Sequence, residues 1–227
     1  MHIPDGLLAP WVWIPFLILL IILLYIGLHK LKQEYDEKIV PYIGIMAAFI
    51  FAAQFVNFPV PFGTSGHLVG GVLLSVLFGP WTTIVIIFLV LLIQSFMGDG
   101  GITVIGVNSF NMGVIGAFLG IFLVKIFIKI LNKTKMNNSN KLILSSAISS
   151  YLVIVVSAMM VPIEMAMSKI DAWVIAVPFM LIYHLIIGIG EAFITTAVLY
   201  IIIKSKPEMI ITEKILNISI QNLSISK

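Results

Sequence analysis

Long apolar stretches separated by short polar ones fill the first 203 residues of the chain. One helix needs about 20 mainly apolar residues to cross the roughly 30 Å hydrocarbon core of a bilayer. Stretches of this kind occupy residues 11–28, 41–58, 81–97, 102–130, 142–161 and 173–203. Because 60% of the residues are hydrophobic and only 10% are charged, no segment is polar enough to form a soluble domain. The sequence therefore predicts an all-α, polytopic protein of the cell membrane (plasma or inner membrane), with about six or seven transmembrane helices.

One apolar run, residues 68–78, is too short to cross a membrane and ends at Gly79-Pro80. At about 1.5 Å per residue, a helix of this length covers roughly half of the hydrocarbon core. The preceding segment, 57–67, contains several Pro and Gly residues and must be a loop. Irregular backbone at membrane depth is tolerated only inside protein or along a wet cavity. We therefore expect a re-entrant loop that places His67 beside such a cavity.

The distribution of lysines predicts the orientation of the chain. With the N-terminus outside, the inner loops hold every lysine except Lys169. These are Lys30, Lys32, Lys38, Lys125, Lys129, Lys133, Lys135, Lys141, Lys204, Lys206, Lys214 and Lys227. Such an excess of basic residues marks the cytoplasmic side, so we interpret the basic pI as topology and not as nucleic-acid binding. We expect a transmembrane domain over residues 1–203 and a weakly ordered cytoplasmic tail over residues 204–227.

The first six residues, MHIPDG, lack the positive charge that opens a secretory signal. A free amine on Met1, the backbone nitrogen of His2 and the ring nitrogen of His2 nearer the backbone can close a five-membered and a six-membered chelate ring. Three such nitrogens favour a square-planar ion, Ni²⁺ or Cu²⁺ before Zn²⁺. From these residues alone, an ordinary flexible terminus is the favoured interpretation of His2. The chain has no cysteine, so a thiolate metal site is excluded.

The tail can also reach the predicted cavity. Six extended residues span up to roughly 20 Å, enough to fold into the helix bundle from the outer side and bring His2 to His67. The imidazole of His67 would then be the fourth ligand.

Four motifs occur in order along the chain: MHIPDG at 1–6, NFPVPFGTSGHLVGG at 57–71, QSFMGDGG at 94–101 and GVNSFNMG at 106–113. Over residues 1 to 203 the chain resembles the CbiM/NikM family, the substrate-binding (S) components of energy-coupling-factor (ECF) transporters for cobalt and nickel. The resemblance implies a metal held by the Met1 amine, the His2 backbone nitrogen and the imidazoles of His2 and His67. It implies Ni²⁺ or Co²⁺ as transported substrate, with no catalytic cofactor. It also implies three kinds of partner: a transmembrane coupling (T) subunit, cytoplasmic ABC ATPase subunits and a small accessory membrane subunit.

Five further polar residues are candidates for orienting the ligands. The resemblance suggests that Asn57, Asn108 and Asn111 hold His67 and the folded tail in place, as groups around a metal site often do. Loop hydrogen bonding or helix capping is an equally good interpretation of these amides. Asp5 is a candidate for orienting the tail, and Asp99, within a Gly-rich turn, is better explained by the turn itself.

His184 and Glu191 lie seven residues apart in the last apolar stretch, on one helical face. Ionisable residues inside a membrane are costly and often functional. They could pair with each other, line the inner half of the cavity or contact the coupling subunit. A nearby series of small residues favours close helix packing within the chain: Gly113, Gly116, Ala117 and Gly120.

Two alternative functions remain to be considered. The Gly63-Thr64-Ser65-Gly66 segment matches the GxSG of rhomboid intramembrane proteases, with His184 as a candidate base for Ser65. Ser and Gly at a helix start are also what an N-cap and a tight turn require, so this signal is weak. The second alternative is an S component for a vitamin, against which the chelating terminus argues. The GxxxxGK[ST] phosphate-binding loop is absent from the sequence, so this chain does not hydrolyse ATP itself, and we predict that it is not an enzyme.

Overall fold

The computed structural model describes residues 1–34, 39–60 and 64–220. The helices are α1 (Pro10–Glu34), α2 (Val40–Gln54), α3 (Gly71–Phe96), α4 (Ile105–Ser109), a π-helical segment (Phe110–Leu119), α5 (Gly120–Leu131), α6 (Asn138–Met167), α7 (Trp173–Ser205), a 3₁₀ turn (Pro207–Met209) and α8 (Glu213–Leu216). Among the described residues, five helices are long and apolar enough to cross a membrane, and α2 is a shorter apolar helix. The prediction of an all-α, multi-pass membrane protein is confirmed. Some residues used in the predictions lie outside the described part of the chain: Lys38, residues 61–63 and residues 221–227.

The loop before His67 contains a short antiparallel hairpin of β1 (Phe58–Val60) and β2 (Thr64–Gly66). Phe58 pairs with Gly66, and Pro59 lies opposite Ser65. Sequence analysis predicted only an irregular loop here. Strand pairing satisfies backbone groups that would otherwise be left without partners inside the bundle.

Helix α3 turns back on itself at Gly79, which has φ 77° and ψ 166°. These angles are open mainly to glycine, and Pro80 also removes a helical N–H donor. His67, just before α3, and Asp99, just after it, both contact His2. A straight helix of 26 residues would hold its ends about 39 Å apart. The two arms, 71–78 and 80–96, therefore run in opposite directions, which confirms the predicted short helix ending at Gly79-Pro80.

The turn at Gly79 is closed by the C-terminal segment, residues 206–220. The backbone N–H of Ile211 donates to Leu77 O at 2.9 Å, and the Thr212 hydroxyl donates to Val76 O. Val76 O lies four residues before Pro80, which has no N–H to offer it. Apolar side chains of this segment are buried in the core: Met209, Ile210, Leu216, Ile218 and Ile220. The expected weakly ordered tail is therefore wrong for residues 206–220, because they supply donors that the turn needs.

The small residues after α4 let the π-helical segment and the start of α5 pack closely against the start of α3. A Cβ added to Gly116 would lie 2.9 Å from the Cα of Gly71, and one added to Gly120 would lie 2.9 Å from Cγ2 of Val72. Only glycine fits at either position without a shift of its neighbour. The prediction that this series packs within the chain is confirmed.

Candidate metal centre

The N-terminal tail lies inside the helix bundle. Met1 and Ile3 are fully buried, and His2 is 3% exposed. The side-chain amide of Asn108 binds both backbone groups of Ile3: Ile3 N–H donates to Oδ1 at 2.9 Å, and Nδ2 donates to Ile3 O at 3.1 Å. Gly101 N–H donates to the same carbonyl at 2.9 Å. The predicted insertion of the tail into the bundle is confirmed, and Asn108 is the amide that holds it.

Asp5 fixes the tail at its exit from the bundle. Its carboxylate accepts hydrogen bonds from Ile102 N–H at 3.0 Å, from Thr103 N–H at 2.8 Å and from the Thr103 hydroxyl. Slight burial raises the pKa of the Asp5 carboxyl, but these hydrogen bonds outweigh it and hold that pKa below its usual value. Asp5 is therefore ionised at neutral pH and orients the tail against the segment that precedes α4.

Two nitrogens of the tail converge on one hydroxyl. The Met1 amine and the His2 backbone N–H each donate to Ser65 Oγ at 3.2 Å. These are the two nitrogens that a five-membered chelate ring would use. Sequence analysis offered only two interpretations of Ser65, a nucleophile and a residue of a helix cap or tight turn. The signal that could have shown its role is its position in the loop that carries His67.

The rings of His2 and His67 lie against each other. Their centroids are 4.4 Å apart, and their planes differ by 22°. His67 Nδ1–H donates to Leu68 O at 2.7 Å, while the buried Nε2 has no hydrogen-bond partner among the residues that the structure describes. Burial lowers the pKa of His67 well below its usual value, and the nearby His2 and Met1 amine lower it further. His67 therefore presents a neutral ring with a free lone pair on Nε2.

Asp99 contacts the ring of His2. Its Oδ1 lies 2.9 Å from His2 Nδ1, and Asn57 Nδ2 donates to Asp99 Oδ2 at 3.3 Å. Burial raises the pKa of Asp99, but the hydrogen bond from His2 and the neighbouring cationic groups lower it overall. Asp99 thus does more than form a turn: it holds the ring nitrogen that a chelate would use.

Burial also changes the protonation of the Met1 amine. Burial lowers its pKa to about 4, against the opposing charge of Asp99. Burial likewise lowers the pKa of His2, although the hydrogen bond to Asp99 raises it. At neutral pH the amine and both imidazoles are therefore uncharged, which is the form that binds a metal ion.

Three further predicted polar residues bind groups other than the tail, although the ring of His184 lies near the loop that carries His67: a Cβ added to Gly66 would be 3.5 Å from His184 Cε1. Asn111 Nδ2 donates to Glu164 Oε2 at 3.0 Å, one turn beyond Asn108, so the structure does not bring it to the tail. His184 and Glu191 do not pair with each other. His184 Nδ1–H donates to Met180 O at 2.8 Å, whereas Glu191 accepts hydrogen bonds from two backbone amides just after His67. Within the described residues, no hydrogen bond joins Ser65 to His184.

Comparison with known proteins identifies the family. The family model described as the cobalt uptake substrate-specific transmembrane region, CbiM, matches residues 2–209. The chain belongs to the CbiM family. A relative from Methanocaldococcus jannaschii, named as a metal transport protein, is 35% identical over 219 residues, which cover 92% of this chain and 94% of the relative. The fused nickel transport protein NikMN of Rhodobacter capsulatus is 29% identical over 225 residues, 92% of this chain and 64% of that protein.

A solved structure shares the fold of this CbiM member. The crystal structure of a transition metal transporter matches it with a TM-score of 0.78 and 30% identity, covering 95% of this chain and 99% of the other. The resemblance drawn from the four motifs is confirmed. CbiM proteins and these relatives are metal transport proteins and not enzymes. The intramembrane protease alternative is therefore wrong, and the family gives no support to a vitamin carrier.

Proposed function

We propose that this chain is the substrate-capturing membrane subunit of an ECF-type importer for Ni²⁺ or Co²⁺. The description of the family, cobalt uptake, and the nickel transport name of a relative support the two ions. The observation that carries the proposal is a buried site in which the Met1 amine and the His2 backbone nitrogen meet at Ser65 Oγ and the rings of His2 and His67 lie against each other.

The proposed ligands are four nitrogens: the Met1 amine, the His2 amide, His2 Nδ1 and His67 Nε2. Among the described residues, no group of three or more His, Cys, Asp or Glu side chains is arranged to hold an ion. An ion in this pocket therefore has to take main-chain nitrogens. A deprotonated amide between an amine and an imidazole favours a planar arrangement, which suits Ni²⁺ and excludes a tetrahedral Zn²⁺ geometry.

Binding requires a local rearrangement of His2. Its Nδ1 faces Asp99 Oδ1 at 2.9 Å. A half-turn of the ring about the Cβ–Cγ bond exchanges Nδ1 with Cδ2 and frees Nδ1 for the ion. The stacked His67 ring, 4.4 Å away, then separates to direct Nε2 into the same plane. Deprotonation of the His2 amide breaks its hydrogen bond to Ser65 Oγ, which is 3.2 Å long in the structure.

Transport also needs other subunits. The sequence has no ATP-binding loop, so energy must come from ABC ATPases through a transmembrane coupling subunit, with a small accessory membrane subunit as a further partner. In this scheme residues 1–203 form the metal-binding membrane domain, and residues 204–227 face the cytoplasm. Release follows when the coupling subunit moves the tail or the His67 loop out of the plane of the ligands.

The test is calorimetric titration of the purified chain, with Met1 verified as its free terminus, with Ni²⁺, Co²⁺, Zn²⁺ and Cu²⁺. We expect a single tight equivalent of Ni²⁺ or Co²⁺ that is lost in both His2→Ala and His67→Ala. His29→Ala is the matched control, because His29 is exposed near the end of α1, where its ring hydrogen-bonds to Gln33. Absence of tight binding in the native chain, or equal binding in the His67 variant, would contradict the ligand set.

A further inference from the structure

We infer that Glu191 is a positioning residue for metal capture, acting through the backbone on His67. The inference rests on the proposed function for the role of His67 as a ligand. It concerns a carboxylate on α7, a helix that contributes no proposed ligand.

The carboxylate of Glu191, on α7, binds the segment that links His67 to α3. Oε2 accepts from Val69 N–H at 2.8 Å, and Oε1 accepts from Gly70 N–H at 2.7 Å. Glu191 is 3% exposed, so solvent does not compete for these bonds. From the opposite side, Gln54 Nε2 on α2 donates to Val69 O at 2.9 Å. The segment is thus held between two helices.

The position of Glu191 answers a need of α3. The first N–H groups of a helix have no partner within it, and α3 has no side-chain cap of its own. Gly70, the residue before α3, has φ 74°, and a Cβ there would lie 2.2 Å from Ile50 Cδ1. No capping side chain could therefore replace this glycine. A carboxylate from α7 supplies charge-assisted hydrogen bonds at the helix end where negative charge is favoured.

The same peptide group connects Glu191 to His67. The Leu68 carbonyl and the Val69 N–H belong to one planar peptide unit. Glu191 accepts from its N–H at 2.8 Å, and His67 Nδ1–H donates to its carbonyl at 2.7 Å. A hydrogen bond to the N–H end strengthens the carbonyl as an acceptor. Glu191 therefore fixes the plane of the Leu68–Val69 peptide unit. The carbonyl of that unit holds the proton of His67 on Nδ1, so Nε2 stays free for an ion. Residues that hydrogen-bond to metal ligands orient them in the same way at other sites.

The first experiment compares Glu191→Gln with the native chain and with Thr195→Val. Thr195 is buried one turn further along α7. Together with Glu191 it lines a small cavity beside Val69 and Gly70, so its variant controls for a polar-to-apolar change on this face of α7. The glutamine amide has only one acceptor oxygen, and its NH₂ group would face a backbone N–H. We expect Glu191→Gln to lower the affinity for Ni²⁺ and Co²⁺ about 10- to 100-fold, with Thr195→Val unchanged. Glu191→Asp, which keeps the carboxylate, should recover part of the loss.

A second readout separates positioning from a purely structural role. In ¹⁵N-histidine NMR spectra of the metal-free native chain, His67 should show one tautomer, protonated on Nδ1. In Glu191→Gln it should show a mixture of both tautomers, whereas a variant that had only lost stability would keep the single tautomer below its lower melting temperature. A folded Glu191→Gln chain with native affinity and a single His67 tautomer would overturn the inference.

The third measurement needs no variant and no metal. The amides of Val69 and Gly70 in the native chain should exchange with deuterium as slowly as those inside α3. Exchange at the rate of an open loop would refute the hydrogen bonds from Glu191, and so the inference, even where Glu191→Gln does not fold. If the native chain binds no metal while these amides remain protected, the proposed function fails and the positioning of His67 by Glu191 stands.

Discussion

The number of protons released when Ni²⁺ binds tests the proposed ligands most directly. The perturbation is titration with Ni²⁺ at pH 7 in two buffers that differ in ionisation enthalpy. The heat difference between the buffers gives the protons released for each ion bound. The folded chain and the free peptide MHIPDG carry the same terminal nitrogens, so the peptide serves as the matched control.

The expected number follows from the buried site. The pKa of the Met1 amine is lowered from 8.0 to about 4, so about one amine in a thousand is protonated at pH 7. The pKa values of His2 and His67 also lie below their usual 6.5, so both rings are neutral. Only the His2 amide then has a proton to lose, and we expect about one proton for each ion. In the peptide, the amine is roughly nine-tenths protonated, so the release should be about two.

The same reasoning gives the pH dependence. A lowered pKa keeps a base neutral, so protons do not compete with the ion for the amine until the pH falls towards about 4. Between roughly pH 5 and 8, the apparent affinity should rise about 10-fold per pH unit, from the amide alone. If the amine had its ordinary pKa, two protons would leave for each ion below that pKa. The apparent affinity would then rise about 100-fold per pH unit. Release of two protons by the folded chain would refute the neutral amine, and release of none would refute the amide as a ligand.

Three other changes test separate parts of the structure. A glycine added before Met1 converts the amine into an amide in a fully buried position, so tight Ni²⁺ binding measured by calorimetry should be lost. A glycine added at the C-terminus is the control and should not change the Ni²⁺ affinity. Ser65→Ala removes an acceptor whose hydrogen bond from the His2 amide must break when the ion binds, so it should strengthen Ni²⁺ binding by about 10-fold, with Ser205→Ala as control. Thr212→Val leaves Val76 O without its donor and should lower the free energy of unfolding by about 1–3 kcal/mol in a denaturation series, with metal affinity retained. Native stability in that last variant would show that the C-terminal segment does not close the turn of α3.

Local signals explain which features the sequence predicted. The turn at Gly79-Pro80 depends on two adjacent residues, because glycine permits φ 77° and proline ends the helix ladder. The apolar spans depend on composition, and the chelating terminus depends on His2 being the second residue. Each of these can be recognised without knowing what lies beside it.

The missed features depend on residues far apart in the chain. The Thr212 hydroxyl meets Val76 O across 136 positions, and Glu191 meets Val69 across 122. Nothing in the composition of residues 206–220 indicates that they supply donors to a kinked helix. Ser65 looked like a turn or nucleophile residue because its partners are the main-chain nitrogens of Met1 and His2. Asn108 and Asn111 have similar surroundings in sequence, so the sequence does not show which of them contacts the tail. In the fold, Asn108 binds Ile3, whereas Asn111 binds Glu164.

The tail of this protein leaves the ribosome before any of the residues that enclose it. Its contact with Ser65 spans 64 positions, and that of Ile3 with Asn108 spans 105. The loop that carries His67 is secured only after Glu191 enters the membrane, 122 positions beyond Val69. A nascent chain therefore cannot complete the pocket until its last long helix has been inserted. Only a fully inserted chain would therefore bind an ion tightly. A chain stalled or cleaved before α7 would reach the membrane without tight metal binding.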